Sequence, residues 1–512
     1  MTIREKLGQM IMFGFPGKAP DEEALRLIRK YKAGNIILFS HNVESINQVR
    51  SLCEMLQKEV QAATGHPAFI AMDQEGGVVS RVPEDATNFP SAMAVASTGL
   101  PHNAYIAGLY TAKELCDLGV NFNLAPSMDL NTNSANPVIG VRSYGDRPEG
   151  ATPYALEMMR GLRDGGVCAC VKHFPGHGNT SVDSHLGLPC VDKTEEDLLA
   201  CELMPFEAAI REEVPCVMTA HILFPQIEKR KLPATMSSVI LKGLLREKLG
   251  FRGIIVSDCL EMDAIKEYYG TSEGFVKALC AGVNLGCISH SPSLAIEALE
   301  KAAQAVEDNI FMIEDLDASL EIILEKKKQY ASLKPRTYLA GSPNHKEAAR
   351  IISEKSITRI GREDMMPRPD ENTFFTGCRA YRATFASSSL DQSESFPEYM
   401  AKCFGGQFNI TPVNPEKKDI LEILGSTNPG QTVVVGTYNG HLNQGQLALV
   451  NALCENQRCV IAVALRNPYD LQMVDRSVYK LAAFEYTPLA FTSVERILCG
   501  EPCEGKLSIT MK

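Results

Sequence analysis

The sequence predicts an α/β protein with two domains, a closed (β/α)8 barrel followed by a smaller, doubly wound α/β domain. Short apolar runs alternate with helical patterns up to about residue 335. These runs are nearly continuous instead of alternating with polar residues, which is typical of parallel strands that are buried on both faces. Seven or eight such units in this region favour a closed barrel of the TIM type.

The predicted barrel strands recur at intervals along the first part of the chain. They are Gly34–Phe39, Ala68–Met72, Asn121–Ala125, Val167–Val171, Pro215–Thr219, Gly253–Val256 and Val283–Ile288. Helical patterns lie between them, as in Glu195–Arg211, Ser238–Leu249 and Ser291–Asp308. The first twelve residues mix charged and apolar side chains. They indicate an amphipathic helix whose apolar residues belong to the core.

A polar, turn-rich segment at Lys334–Asn344 interrupts this pattern and indicates a linker. One helix and a second alternating series follow, with strands predicted at Thr373–Phe375, Thr432–Val435, Val460–Ala464 and Leu481–Phe484. This pattern predicts an open, flavodoxin-like sheet. We therefore assign residues 1–335 to the barrel, 336–355 to the linker and connecting helix, and 356–512 to the second domain.

The composition is that of a globular protein, because 45% of the residues are hydrophobic and 22% are charged. A net charge of −11 and the absence of any basic cluster larger than Lys326–Lys328 argue against binding to nucleic acid. No apolar run is long enough to span a bilayer, and the first residues lack a signal-peptide core. The sixteen cysteines show no Cys-x-x-Cys spacing, so we expect reduced thiols and a cytoplasmic location.

Polar residues follow most of the predicted barrel strands, and in a barrel the carboxyl ends of the strands surround one pocket. The residues at these positions are Asp73, Arg81, Arg142, Lys172, His173, Asp183, His185, His221, Ser257 and Asp258. Any one of them could be a cap or a salt bridge at a strand end. As a set they predict an active site.

The chemistry of these groups indicates a retaining glycosidase. Asp258 directly follows a buried strand, so its carboxylate is held rigidly and can act as a nucleophile. His185 could donate a proton to the leaving group, with Asp183 orienting one imidazole nitrogen. A nucleophilic carboxylate and a proton donor are the minimal equipment for this reaction. The remaining groups then bind sugar hydroxyls: Arg81, Arg142, Lys172 and His173 as donors and Asp73 as acceptor.

Five motifs make this chain resemble glycoside hydrolase family 3, and within it the two-domain bacterial β-N-acetylglucosaminidases. They are Asp73-Gln-Glu-Gly-Gly77, Ile139-Gly-Val-Arg-Ser143, Lys172-His-Phe-Pro-Gly-His-Gly178, Asp183-Ser-His185 and Ser257-Asp258. The resemblance implies that Asp258 is the nucleophile and His185 the general acid/base, assisted by Asp183. It also implies that Asp73, Arg81, Arg142, Lys172 and His173 bind the terminal sugar, and that the second domain is supportive.

The resemblance implies an enzyme that releases terminal β-linked N-acetylglucosamine from short peptidoglycan- or chitin-derived saccharides without a metal or cofactor. The chain has no tryptophan, the usual stacking platform for polysaccharides, which also favours a short substrate. The close alternative is a phosphorylase that uses the same residues, because a neutral His does not repel inorganic phosphate. The sequence indicates no particular oligomeric state.

Two other classes of function are less well supported by the sequence. A metal-dependent hydrolase could use His173, His177, Asp183 and His185 as ligands. However, Pro175 and Gly176 break the helix that would place two of these imidazoles on one face. A non-catalytic sugar-binding protein is expected to lack the nucleophile or the proton donor, and both residues are present.

Overall fold

The protein is described by a computed structural model that covers residues 1–180, 187–332, 338–382, 387–388 and 394–511. Eight parallel strands close into a barrel, and a six-stranded sheet follows, so the predicted fold class is confirmed. The barrel strands are β1 (Ile11–Phe13), β2 (Asn35–Leu38), β3 (Phe69–Met72), β4 (Phe122–Asn123), β5 (Cys168–Phe174), β6 (Cys216–Thr219), β7 (Ile254–Cys259) and β8 (Leu285–Ile288).

The barrel strands are buried along almost their whole length. Every residue of seven strands is buried, and in β7 only the last two residues, Asp258 and Cys259, are partly exposed. This pattern explains the continuous apolar runs in the sequence, because helices cover the outer face and side chains fill the interior. Polar groups therefore reach solvent only at the strand ends.

Two strands lose their regular pairing near their carboxyl ends. The register of β5 against β6 shifts between Val171 and Phe174, and that of β7 against β8 shifts between Val256 and Cys259. Bulges of this kind re-aim side chains and are common beside active sites. The two irregular segments carry the predicted site residues Lys172, His173 and Asp258.

Helices surround the barrel, and several of them begin at a residue whose side chain caps the first turn. The side chain of Asp21 accepts the amide proton of Ala24, and that of Ser45 accepts the amide proton of Gln48. The barrel helices are Ile3–Gly8, Glu22–Tyr31, Ile46–Thr64, Ala92–Ser97, Pro101–Leu118, Pro148–Asp164, Glu195–Leu199, Met204–Arg211, the π-helix Val239–Lys248, Asp263–Tyr269, Thr271–Ala281, Pro292–Glu307 and Ile313–Tyr330. A connecting helix, Pro343–Ser356, leads to the second domain.

The second domain is a doubly wound sheet with one added edge strand. Its strands are β9 (Thr358–Ile360), β10 (Phe374–Cys378), β11 (Gln407–Thr411), β12 (Thr432–Thr437), β13 (Cys459–Ala464) and β14 (Tyr479–Ala482). The order is β11-β10-β12-β13-β14-β9, in which β10 to β14 form the parallel flavodoxin-like arrangement and β9 is antiparallel. Its helices are Phe396–Phe404, Lys417–Gly425, Gln444–Glu455 and Pro488–Leu498.

One apolar cluster continues from the second domain into the barrel. It joins sheet residues such as Val435 and Ala464 to Val78, Met93 and Val141, which lie on barrel loops and a short barrel helix. Burial of shared apolar surface is the main source of adhesion between packed elements. The second domain is thus attached to the end of the barrel where the predicted site lies.

Several elements differ from the predicted ones. The amino-terminal helix ends at Gly8, and the barrel begins with β1, which at three residues is too short to produce a strand pattern. The helix predicted over Glu195–Arg211 is divided in two, with Pro205 at the start of the second helix. The sheet gains two edge strands: β9, of three residues, and β11, whose residues are largely exposed.

The length and the hydropathy of a helix determine whether it can cross a membrane. Across the described ranges, no helix is both long and apolar enough to cross a membrane.

Candidate active site

A cavity of about 700 Å³ opens at the carboxyl ends of the barrel strands. Six of the predicted site residues line it, namely Asp73, Arg81, Arg142, Lys172, His173 and Asp258. Asp183 and His185 lie outside the described residues. The structure thus brings these six side chains to one cavity, and their roles in binding and catalysis stay predictions.

Lys172 is the centre of an ion-paired cluster on the β3 and β5 side of this cavity. Its Nζ donates to Asp73 Oδ1 at 2.6 Å and lies 2.7 Å from Glu75 Oε1. Arg142 approaches the same carboxylate and donates from Nε and Nη2 to its two oxygens at 2.8 and 2.7 Å. A bidentate pair of this kind fixes both partners in orientation.

Burial and charge together set the ionisation of the cluster. Burial disfavours the charge of Glu75, but Arg142 and Lys172 outweigh it and hold the pKa of this carboxyl well below its usual range. Burial lowers the pKa of Lys172, yet Asp73 and Glu75 raise it overall. Burial likewise opposes the charge of Arg142, whose pKa Glu75 raises above the ordinary value. Both cations therefore remain hydrogen-bond donors at neutral pH.

Glu75 received no role in the sequence analysis, although it lies within the motif that begins at Asp73. The sequence feature that could have identified Glu75 is its position two residues after the carboxylate of Asp73. Glu75 matters in the structure because it links Lys172, in β5, to Arg142, in the turn that begins at Gly140.

A second buried carboxylate, Asp129, holds the histidines of the β5 loop. Its Oδ2 lies 2.6 Å from His173 Nδ1, and its Oδ1 accepts the amide proton of His177 at 2.6 Å. His173 Nε2 lies 3.4 Å from Arg142 Nη2, which can only donate, so the ring proton belongs on Nδ1. Asp129 thus fixes the tautomer and the orientation of His173.

The pKa shifts around Asp129 agree with this geometry. Burial favours its neutral form, but His173 and His177 lower the pKa of Asp129 to about 2. Burial lowers the pKa of His177 to about 4, so His177 is neutral at physiological pH. Asp129 was missed by the sequence analysis. It lies four residues after the predicted end of β4, and only its position past a strand end could have revealed it.

Asp258 faces the cavity from the bulged end of β7. Its Oδ1 accepts the amide proton of Cys259 at 2.8 Å. His221 lies buried behind this strand end, where its Nε2 is 3.0 Å from the carbonyl oxygen of Cys259 and its Nδ1 is 2.8 Å from Thr235 Oγ1. The prediction that His221 lies in the cavity wall is therefore wrong, because its ring supports the backbone beside Asp258.

Ser257 is also structural. It is fully buried, and its hydroxyl accepts the amide proton of Cys287 on β8 at 2.9 Å. This bond ties β7 to its neighbour one residue before Asp258. The end of β7 is thus held on both sides, by Ser257 and by His221.

The second domain contributes directly to the cavity, beyond the supportive role that was predicted. Arg382 and Ser387 line its wall. Ser388 accepts the amide proton of Ser80 at 2.7 Å and a proton from Arg81 Nη1 at 3.2 Å. These bonds hold the segment that carries Arg81 against the second domain.

The turn that carries Arg142 is held by the second domain in the same way. Asn131 accepts the amide proton of Gly140 at 3.2 Å and donates to the hydroxyl of Tyr469 at 2.9 Å. Gly140 has a φ of +46°, and a Cβ there would lie 2.4 Å from Asn467 Oδ1. Glycine is favoured at this position because the left-handed backbone conformation and the nearby Asn467 side chain of the second domain both disfavour a Cβ.

The ligand set proposed for a metal ion is only partly described. Asp183 and His185 lie outside the described residues, and His173 is engaged with Asp129. Within the part of the chain that the structure covers, no group of three or more His, Cys, Asp or Glu side chains is arranged to hold a metal ion.

Comparison with known proteins identifies the family. The family model described as "Glycosyl hydrolase family 3 N terminal domain" matches residues 2–325. A beta-hexosaminidase A from Pseudoalteromonas piscicida is 34% identical over 413 residues, covering 72% of this chain and 69% of that protein. A beta-hexosaminidase from Thioalkalivibrio sulfidiphilus is 35% identical over 57% of this chain and 83% of its own length.

The likeness to a solved structure extends over both domains. The structure of a glycoside hydrolase family 3 beta-N-acetylglucosaminidase from Paenibacillus sp. superposes with a TM-score of 0.91 at 36% identity. The match covers 100% of this chain and 99% of that one.

Proposed function

Because this chain belongs to glycoside hydrolase family 3, we propose that it is a retaining exo-β-N-acetylglucosaminidase. It is a glycoside hydrolase, and in our proposal it removes terminal β-linked N-acetylglucosamine from short peptidoglycan- or chitin-derived saccharides. The names of its relatives, beta-hexosaminidase and beta-N-acetylglucosaminidase, support this choice of sugar. The observation that carries the proposal is that Asp258 and the ion-paired Lys172 cluster line the same cavity.

In the proposed first step, a carboxylate oxygen of Asp258 attacks the anomeric carbon of the terminal sugar. The bond between that carbon and the leaving oxygen breaks, and His185 supplies the proton that the leaving oxygen takes up. Asp183 orients the imidazole for this transfer. The roles of His185 and Asp183 follow from the family resemblance.

In the second step, water attacks the anomeric carbon of the glycosyl-aspartate and gives its proton to His185. The ester bond to Asp258 breaks, and the sugar leaves with the same anomeric configuration as the substrate. The half-exposed position of Asp258 at the end of a buried strand supports this role, because its carboxylate is held rigidly yet reaches the cavity.

The terminal sugar is bound, in this proposal, by the side of the cavity opposite Asp258. Lys172, Arg142 and Arg81 offer hydrogen-bond donors, and Asp73 accepts from sugar hydroxyls. The pairing of Lys172 with Asp73 and Glu75 supports this assignment, since a preorganised polar site binds without reorientation when the substrate arrives. His173 also lines the cavity, but its ring proton is held by Asp129, so its Nε2 is an acceptor and not the hydroxyl donor that the sequence predicted.

The activity is tested by comparing p-nitrophenyl β-N-acetylglucosaminide with p-nitrophenyl β-glucoside, each with and without inorganic phosphate. We expect rapid release of free N-acetylglucosamine from the first substrate, independent of phosphate. Equal turnover of the glucoside would contradict the assigned sugar. A sugar 1-phosphate as the main product would assign the phosphorylase activity instead.

The catalytic assignments are tested by substitution. Asp258→Ala is expected to abolish turnover, because no covalent intermediate can form. His185→Ala is expected to slow turnover about a hundredfold, the usual scale for loss of a general acid/base. Asp315→Ala serves as the control, because this carboxylate forms an exposed salt bridge with Lys242 on the outside of the barrel. Near-normal rates in either site variant would contradict the mechanism.

A further inference from the structure

Three aromatic rings form a continuous group at the outer part of the cavity. The rings of Phe39 and His41 lie 5.9 Å apart with their planes inclined by only 7°. The ring of His290 lies 4.9 Å from that of Phe39 and 6.3 Å from that of His41. All three residues line the cavity. We refer to Phe39, His41 and His290 as the aromatic platform.

The platform lies across the barrel from Lys172 and His173, and it adjoins Arg81, whose guanidinium lies 5.9 Å from the centre of the Phe39 ring. Phe39 and His41 follow β2 and His290 follows β8, and both strands pair with β1. Lys172 and His173 belong to β5, the strand that stands opposite β1 in a ring of eight. The cavity therefore has a polar, ionised side and an aromatic side.

Burial distinguishes the two sides further. The side chain of Lys172 is 2% exposed and that of Glu75 7% exposed, whereas His41 and His290 are exposed. The polar side therefore forms the deep part of the cavity and the platform forms the part nearest to solvent. An exo-acting enzyme places the terminal sugar at the closed end of its cavity, so the leaving group extends toward the open end.

Each platform residue is anchored by a hydrogen bond, from the ring of His41 and from the backbone amides of Phe39 and His290. His41 Nε2 lies 3.1 Å from the carbonyl oxygen of Phe15, which can only accept. The proton of His41 is thus on Nε2, and Nδ1 remains an acceptor suited to a sugar hydroxyl. The amide of Phe39 donates to Asn42 Oδ1 at 2.8 Å, and the amide of His290 donates to Glu261 Oε2 at 2.6 Å.

We propose that the aromatic platform is the subsite for the leaving-group sugar. Pyranose rings present faces of C–H groups that pack against flat aromatic surfaces, and this chain has no tryptophan to provide one. Phe39 supplies the apolar centre of the platform, and the two imidazoles add flat surfaces with hydrogen-bonding edges. This inference rests on the proposed glycosidase activity and specifies which residues recognise the second sugar of the substrate.

The test compares two substrates that share the terminal sugar but differ in the leaving group. N,N′-Diacetylchitobiose has a pyranose leaving group, whereas β-N-acetylglucosaminyl fluoride has a single atom. We expect His41→Ala and His290→Ala each to lower kcat/KM for the disaccharide about three- to tenfold, the scale of one aromatic contact. The value for the fluoride is expected to change less than about twofold.

Conservative variants and a matched control complete the design. His41→Phe and His290→Phe keep a flat ring and are expected to retain most of the disaccharide activity. His102→Ala removes an exposed imidazole that stacks on Tyr105, on a helix outside the barrel, and is expected to change neither substrate.

Each other outcome overturns the inference in a recognisable way. Equal losses on both substrates would place the platform at the terminal sugar or in the support of the fold. Unchanged activity on both would show that the rings contact no substrate. Phe variants as weak as the Ala variants would exclude stacking as the cause. A wild-type enzyme that is inactive on both substrates would instead overturn the proposed function.

Discussion

The two ends of the barrel each contain a buried lysine, and their surroundings differ in charge. At the carboxyl end, Lys172 faces the carboxylates of Asp73 and Glu75 at 2.6 and 2.7 Å. At the amino end, Lys327 donates to two neutral oxygens, Gln9 Oε1 at 2.8 Å and the carbonyl of Gly34 at 2.9 Å. Burial lowers the pKa of Lys327 to about 7, whereas the facing carboxylates raise that of Lys172.

The difference between the two lysines shows that burial of a charged residue does not by itself indicate an active site. Lys327 fills the closed base of the barrel and satisfies backbone and amide oxygens. Lys172 belongs to a network of paired charges that borders an open cavity. A buried charge that is compensated by opposite charges and still faces a cavity is arranged for ligand binding.

The largest expected effect is that of Lys172→Met. The substitution leaves the carboxylate of Asp73 without its cation and removes a proposed sugar donor. We expect kcat/KM to fall at least about a thousandfold and the free energy of unfolding to fall by about 3 kcal/mol. Steady-state kinetics and urea unfolding measure the two quantities.

The control for this variant is Lys242→Met. Lys242 pairs with Asp315 at 2.8 Å on the surface, and both side chains are more than 40% exposed. An exposed pair is worth at most about 1 kcal/mol, so activity and stability should stay near those of the wild type. If the two variants behaved alike, the distinction drawn between the ends of the barrel would fail.

Asp129→Asn is expected to have the next largest effect. An amide oxygen accepts the Nδ1 proton of His173 more weakly than the carboxylate does. The His173 ring therefore loses its fixed tautomer, and its Nε2 no longer stays directed at Arg142. We expect kcat/KM to fall about a hundredfold and Tm to fall as well, because the new amide nitrogen must face an N–H group whose proton a carboxylate oxygen accepts in the wild type. A loss of stability without a change in kcat/KM would reassign Asp129 to a purely structural role.

Sequence reasoning predicted the barrel and most of the cavity because both depend on local patterns. Buried parallel strands are visible as apolar runs, and the residues at their carboxyl ends are adjacent in sequence to those runs. Lys172, His173 and Asp258 were found for this reason. His221 was misplaced by the same rule, because a residue past a strand end can turn behind the strand as well as into the cavity.

The residues that were missed act over long distances in the sequence. Ser388 was missed because it contacts Arg81, which lies 307 positions away in the sequence, and no local periodicity indicates such a contact. Asp129 and Glu75 contribute by neutralising or orienting other side chains, which depends on the folded arrangement of three loops. Strand β1 was not predicted because three residues are too few to show a hydrophobic pattern that distinguishes a strand from a helix.

Lys327→Met tests the amino end of the barrel through the pH dependence of stability. The folded pKa of about 7 lies below the unfolded value of 10.5. Between these values the unfolded chain binds more protons, so this group makes stability rise with pH by up to about 1.4 kcal/mol per unit. The variant should lack this rise between pH 7 and 10 and keep normal kcat/KM. A parallel rise in both proteins would show that Lys327 is charged in the folded state.

Tyr469→Phe is expected to have the smallest effect and probes the support of the carboxyl end by the second domain. The variant loses the hydrogen bond from Asn131, worth about 1 kcal/mol, and loosens the turn that begins at Gly140. We expect kcat/KM to fall about two- to fivefold. Tyr399→Phe is the control, because that hydroxyl bonds to Glu495 within the second domain. Equal kcat/KM values in the two variants would show that the bond between Asn131 and Tyr469 does not support the active site.

Arg382 and Ser387 border the cavity although they belong to the second domain. The barrel alone consequently does not form the complete wall of the cavity. If the barrel were fused to a different carboxy-terminal domain, one side of the cleft would be open to water. Engineering of substrate selectivity therefore has to consider both domains together.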